Sequence, residues 1–93
     1  MNRKTEFLGR LFGLSSCIDD LVSFLMAEKL LSEFQYSCLK QEADKPKFIY
    51  TLLEDMRKAD RLLLLDYEWS LLPVERLKLT IITERTTREF TYN

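Results

Sequence analysis

The stretch that most constrains how this chain can fold is residues 44–58, DKPKFIYTLLEDMRK. Ile49, Leu52, Leu53 and Met56 recur at i, i+3, i+4 and i+7, which sets one apolar stripe at helical period. Asp44 stands just ahead, where its carboxylate accepts from the free N–H groups of a first turn. Pro46 falls inside that turn, where a missing N–H costs little. Arg57 and Lys58 close the segment at the negative end of the helix dipole. Everything else in the chain must supply a surface for this stripe to pack on.

With 93 residues there is room for one domain and one modest core. Eighteen leucines supply that core, and only 2 glycines and 2 prolines punctuate it, which favours helices with brief connections over a sandwich or barrel. Residues 3–13 read as a first helix with Phe7, Leu8, Leu11 and Phe12 inward. Residues 16–30 read as a second, capped by Ser16, with Ile18, Leu21, Val22 and Leu25 inward. Ser32-Glu33-Phe34-Gln35 is a capping box that opens a third, with Phe34, Cys38 and Leu39 on its inner face. After the 44–58 helix, Ala59 and Asp60 make a tight corner. Residues 61–72 read as a fifth helix with Leu62, Leu65, Trp69 and Leu72 inward, leaving Leu63, Leu64 and Leu71 as apolar surface. Pro73 opens a sixth with Val74, Leu77 and Ile81 inward. The expectation is an all-α, compact antiparallel six-helix bundle over residues 1–84 with a loose tail over 85–93. The β-branched run Thr80–Thr83 and the segment 88–92 admit one alternative, a hairpin of 78–83 with 88–92.

The chemistry of several function classes is missing. There is no histidine, only Cys17 and Cys38, and no GxxxxGK or GxGxxG, so zinc sites, Ser-His or Cys-His nucleophiles and phosphate loops have no residues to build them. The neighbouring carboxylates Asp19–Asp20 and Glu54–Asp55 diverge around a helix and read as solvated faces. The reading is therefore a non-enzyme with no cofactor and no metal. Nucleic acid is disfavoured, because the basic cluster at residues 40–61 is interleaved with acids and nets only +1. Charges interrupt residues 7–31, so no membrane span is expected, and two cysteines in apolar surroundings, read as buried thiols, suit a cytoplasmic protein.

Charge is uneven along the chain. Residues 1–13 net +2 and residues 14–39 net −3, a split that suits head-to-tail association. Over residues 18–72 the spacing of Leu21, Leu25, Leu31, Ser32, Tyr36, Leu39, Glu42, Lys47, Leu52, Leu53 and Met56 resembles the caspase recruitment domain of the death-fold superfamily, with DRLLLLDYEWSLL in place of its fifth helix. Lys58-Ala59-Asp60 departs from that family's usual glycine turn, and Lys58-Ala59-Asp60-Arg61-Leu62 matches only loosely the R-x-D-L motif of the sister death effector domain. The resemblance implies an adaptor or decoy regulator in apoptosis or innate immunity. It would act by homotypic association between a basic face (Arg3, Lys4, Arg10, Arg57, Lys58, Arg61) and an acidic face (Asp19, Asp20, Glu28, Glu33). The partner would be a second copy or another death-fold domain. The competing reading is an unrelated small helical phage or bacterial inhibitor or subunit, an obligate dimer joined through Leu63, Leu64 and Leu71.

Overall fold

The computed structural model describes residues 2–15 and 17–92. Four helices come first: α1 (Arg3–Ser15), α2 (Cys17–Ala27), α3 (Glu33–Gln41) and α4 (Lys45–Lys58). Three strands follow: β1 (Leu64–Ser70), β2 (Arg76–Ile82) and β3 (Thr87–Tyr92), an antiparallel meander in the order β1-β2-β3. The expected cap at Ser16 lies outside the described residues.

The helical half follows its local signals. Asp44 accepts from the Lys47 N–H at 3.2 Å, Pro46 sits in the first turn of α4, and Ile49, Leu52, Leu53 and Met56 are buried. At α3 the Ser32 hydroxyl accepts from the Gln35 N–H at 3.1 Å while the Gln35 side-chain Oε1 accepts from the Ser32 N–H at 3.0 Å, a complete capping box. Both α2 and α4 end in the same way. The Lys29 N–H donates to the Met26 carbonyl and the Leu30 N–H to the Leu25 carbonyl; the Asp60 N–H donates to Arg57 and the Arg61 N–H to Met56. These are paired 5→2 and 6→1 closures, and they put Lys29 and Asp60 at φ 58°, the left-handed position usually given to glycine.

The last third overturns the all-α six-helix bundle, and with it the helical-bundle, death-fold architecture that the resemblance implies. The expected fifth and sixth helices are β1 and β2, and residues 87–92 of the expected loose tail are β3. The reason is period. Leu65, Tyr67 and Trp69 alternate inward along β1, and Leu77, Leu79 and Ile81 along β2. Leu65, Trp69, Leu77 and Ile81 satisfy both a helical and a strand period. Leu79 does not: it is off the helical stripe, yet it is 0% exposed. Conversely, Leu72 and Val74, inward on a helix, are 84% and 53% exposed on the β1–β2 turn, where the Leu72–Pro73 peptide is cis. The hairpin weighed as the alternative overlaps the β2–β3 pair, in which Leu79 faces Phe90.

One core joins the two halves. Phe7, Leu8 and Leu11 of α1, Leu21 and Leu25 of α2 and the α4 stripe form a single cluster with Leu77, Leu79, Ile81 and Phe90. Phe90 belongs to it, so no boundary falls at residue 84. At the β2–β3 turn the buried Thr83 hydroxyl accepts from the N–H groups of Arg85 and Thr86 and donates to Glu28 Oε1 at 3.1 Å, which ties the turn to the end of α2.

Two stability measurements follow from this arrangement. Leu79→Ala is expected to cost about 2–5 kcal/mol in urea unfolding, whereas Val74→Ala is expected to stay within about 0.5 kcal/mol; the reverse ranking would contradict the strand assignment. Asp60→Gly is expected to raise stability by up to about 1 kcal/mol, because it removes the Cβ from a left-handed position.

Candidate functional site

The basic residues divide into two groups. The α1 group gathers on the aromatic side chains of β1. The Arg3 guanidinium lies 5.3 Å and that of Arg10 5.8 Å from the Trp69 ring centre, and the Lys4 ammonium lies 5.1 Å from that of Tyr67. Phe7 meets both rings edge-on, at 5.7 Å from Tyr67 and 6.3 Å from Trp69. A cavity of about 220 Å³ lies between Arg3, Lys4, Phe7, Tyr67 and Trp69.

Glu75 completes this cluster from the far side of the β1–β2 turn. Its carboxylate accepts from Arg10 Nε at 2.8 Å and Nη2 at 2.7 Å, a bidentate pair, and from Trp69 Nε1 at 3.2 Å. The Arg10 hydrogen bonds and charge hold the Glu75 carboxyl below its ordinary pKa, and Glu75 in turn raises that of Arg10.

The α4 group is disposed differently. Arg57 pairs with Glu54 one turn back on the same helix. Glu54, read from sequence as part of a solvated pair, is only 7% exposed, and neither its Oε2 nor the buried Tyr67 hydroxyl makes a hydrogen bond of normal geometry. Burial, followed by the Glu54 charge, pushes the Tyr67 phenol well above its ordinary pKa. Lys58 is exposed at the end of the helix. Arg61 turns away and donates to the Lys29 carbonyl at 3.0 Å.

The acidic residues are dispersed. Asp19 and Asp20 stand exposed in the first turn of α2, and Glu33 in that of α3. Asp19 shares a shallow cavity with Lys40 and Lys45. Glu28 is engaged by Thr83 and shares a cavity of about 300 Å³ with Arg61. A basic residue thus stands beside Glu28, and basic residues beside Asp19. The fold brings Arg3, Lys4 and Arg10 together on the rings of β1 and sets Arg61 with Glu28 around one cavity.

The apolar surface is more organised. Phe34, expected inward, is 78% exposed. It stands at the lip of a groove of about 460 Å³ between α3 and α4, whose apolar residues also include Cys38, Phe48 and Leu52 and whose rim carries Glu42, Asp44 and Asp55. Elsewhere Leu71, Leu72 and Val74 project from the β1–β2 turn, and Leu63 and Leu64 are exposed at the start of β1. Sequence reasoning missed Glu75, Tyr67 and the groove. The available signals were the lone tryptophan, which needs an acceptor for its N–H when half-buried, and an aromatic, Phe34, lying between the two members of a capping box.

Among the described residues, no three acidic or thiol side chains converge as metal ligands would, and no helix is long and apolar enough to cross a membrane. No family model, no curated protein and no solved structure matches this chain.

The Arg10–Glu75–Trp69 cluster has a pH signature. The lowered Glu75 pKa means that its contribution is present above the ordinary carboxylate pKa of about 4.5 and is lost as pH falls through the lower folded value. Trp69 is the only tryptophan, so its emission during urea unfolding reads the cluster directly. Wild type is expected to exceed Glu75→Gln in midpoint at neutral pH and to converge with it on acidification; a gap independent of pH would refute the assignment.

Proposed function

We propose that this chain is a non-enzymatic protein-binding module whose contacts are made chiefly by exposed apolar side chains, with charge in a supporting role. The observation that carries this reading is the exposure of Phe34, Leu71, Leu72 and Val74 at a groove and a hairpin tip. Single exposed leucines are ordinary, but apolar side chains grouped on a built feature with a polar rim mark interaction sites. Exposed ion pairs contribute about 0–1 kcal/mol each, so the intermixed charges steer and select more than they bind. An adaptor or decoy regulator is the role such a module serves. A cytoplasmic setting suits a chain with only two cysteines and no CxxC pair.

A second reading has one observation in its favour. Helices α3 and α4 are joined by three residues, 42–44, and are followed by a β-hairpin, an order used by helix-turn-helix proteins, with Lys45 and Lys47 on the first turn of the second helix. Glu42 and Asp44 lie among those lysines and the chain nets −1, so we rank nucleic-acid binding below protein binding.

Two assays decide between them. Immobilised chain is expected to retain a protein from native-host lysate that the double variant Phe34→Ser/Leu72→Ser does not retain. Loss of both partner capture and self-association would defeat the protein-binding reading. Low-salt binding of a labelled mixed-sequence duplex that is abolished by Lys45→Glu with Lys47→Glu would establish the second reading in its place.

A further inference from the structure

The two principal apolar features complement each other. The β1–β2 turn is convex and carries Leu71, Leu72, Pro73 and Val74 outward. The α3–α4 groove is concave, with Phe34, Cys38, Phe48 and Leu52 as its apolar lining and a volume of about 460 Å³, within the range of sites that enclose small apolar groups. We propose that the chain associates head to tail, with the hairpin tip of one copy seated in the α3–α4 groove of the next. This inference rests on the protein-binding reading and names its partner as a second copy.

Charge supports the match. The groove rim carries Glu42, Asp44 and Asp55 against Lys47, a net of −2 from three acids and one base. At the tip, Glu75 is neutralised by Arg10, so the charge presented beside the leucines is that of exposed Arg76. An apolar tip with a cation at its foot therefore meets an apolar groove with an acidic rim.

The tip is also held in shape before it binds. Trp69 before the turn and Glu75 after it are joined by the indole hydrogen bond, and Arg10 clamps Glu75 from α1. Within the turn, the Ser70 hydroxyl donates to the Leu72 carbonyl at 3.2 Å. A projecting loop normally loses conformational freedom on docking; here much of that ordering is already present in the free chain. The aromatic and cationic cluster on β1 thus acts as a brace for the tip.

Tip and groove have no residue in common, so a copy bound through its tip keeps its groove open. Such a heterologous contact extends into chains, or closes into a ring if the rotation permits.

The test uses the purified full chain in sedimentation velocity from low micromolar to submillimolar concentration. Wild type is expected to show a mass that rises with concentration. Phe34→Ser and Leu72→Ser, both at exposed positions, are each expected to weaken association at least about tenfold, while Leu64→Ser, outside both surfaces, leaves it unchanged. Mixing the two impaired variants is the decisive arm. Leu72→Ser retains a sound groove and Phe34→Ser a sound tip, so the mixture is expected to form a one-to-one dimer and nothing larger. Wild type that stays monomeric throughout, association that survives both substitutions, or a mixture that forms no dimer would each overturn the proposal. Monomeric wild type that still captures a host protein through Phe34 and Leu72 would defeat self-association alone and leave the protein-binding reading standing.

Discussion

The fold depends on one layer contact, the inner face of the meander against α1 and α4. Leu77, Leu79 and Ile81 of the central strand carry it, with Phe90 opposite Leu79 on one side and Tyr67 on the other. Strand register is what makes this contact specific. A slip of one residue would turn Leu77, Leu79 and Ile81 off the core face and bring Lys78 onto it, so the burial of this row fixes the pairing of all three strands. The α4 stripe forms the second wall, and Phe7 closes the junction by meeting Tyr67 and Trp69 edge-on. The charged cluster on α1 then follows from geometry. Once Phe7 is buried against β1, Arg3, Lys4 and Arg10 on the same helix lie over the rims of the same rings.

The helices were legible in the sequence because their signals are local and mutually consistent. A capping box at Ser32, a cap at Asp44 and an i, i+3, i+4, i+7 stripe all act within a few residues of one another. The sheet was not legible for a definite reason. Leu65, Trp69, Leu77 and Ile81 fit periods of both two and about 3.6. Leucine, the commonest residue in that stretch, is a strong helix former, so propensity favoured the wrong answer. Tyr67 and Leu79 were the discriminating positions, since only a strand brings both inward. Tertiary burial prevailed over propensity, as it does where several weak preferences compete with one well-packed face. The two left-handed helix ends were hidden for a related reason: Lys29 and Asp60 stand where glycine would have announced the turn.

The candidate site was less legible than the fold. Position along a chain does not set position on a surface, so the contacts of the charged residues could not be read from their runs in the sequence. Arg61 comes beside Glu28 because it donates to the Lys29 carbonyl across 32 residues, and Thr83 reaches Glu28 itself across 55. Glu75 reaches Arg10 across 65 residues, and no local pattern links them. The same distance hid the brace at the hairpin tip. An amphipathic stripe on α3 puts Phe34 inward, yet α3 is the helix with the fewest buried positions, with Leu39 its one buried residue.

The balance of buried and exposed apolar surface bears on what kind of association such a chain can sustain. An obligate dimer resembles a core cut in half, and its protomer leaves large inner side chains open to water. Here the largest core side chains, among them Phe7, Leu53, Leu79 and Ile81, are fully buried within one copy. The accessible surface is 5995 Å², close to the roughly 5,700 Å² that a compact monomer of this mass presents. The chain therefore closes its own core without help. The leucines left outside sit on a turn and at a strand end, places where burial in the same copy would require the hairpin to fold back on itself. Association through them, as proposed above, would add to a core already closed, so it would be reversible and set by concentration.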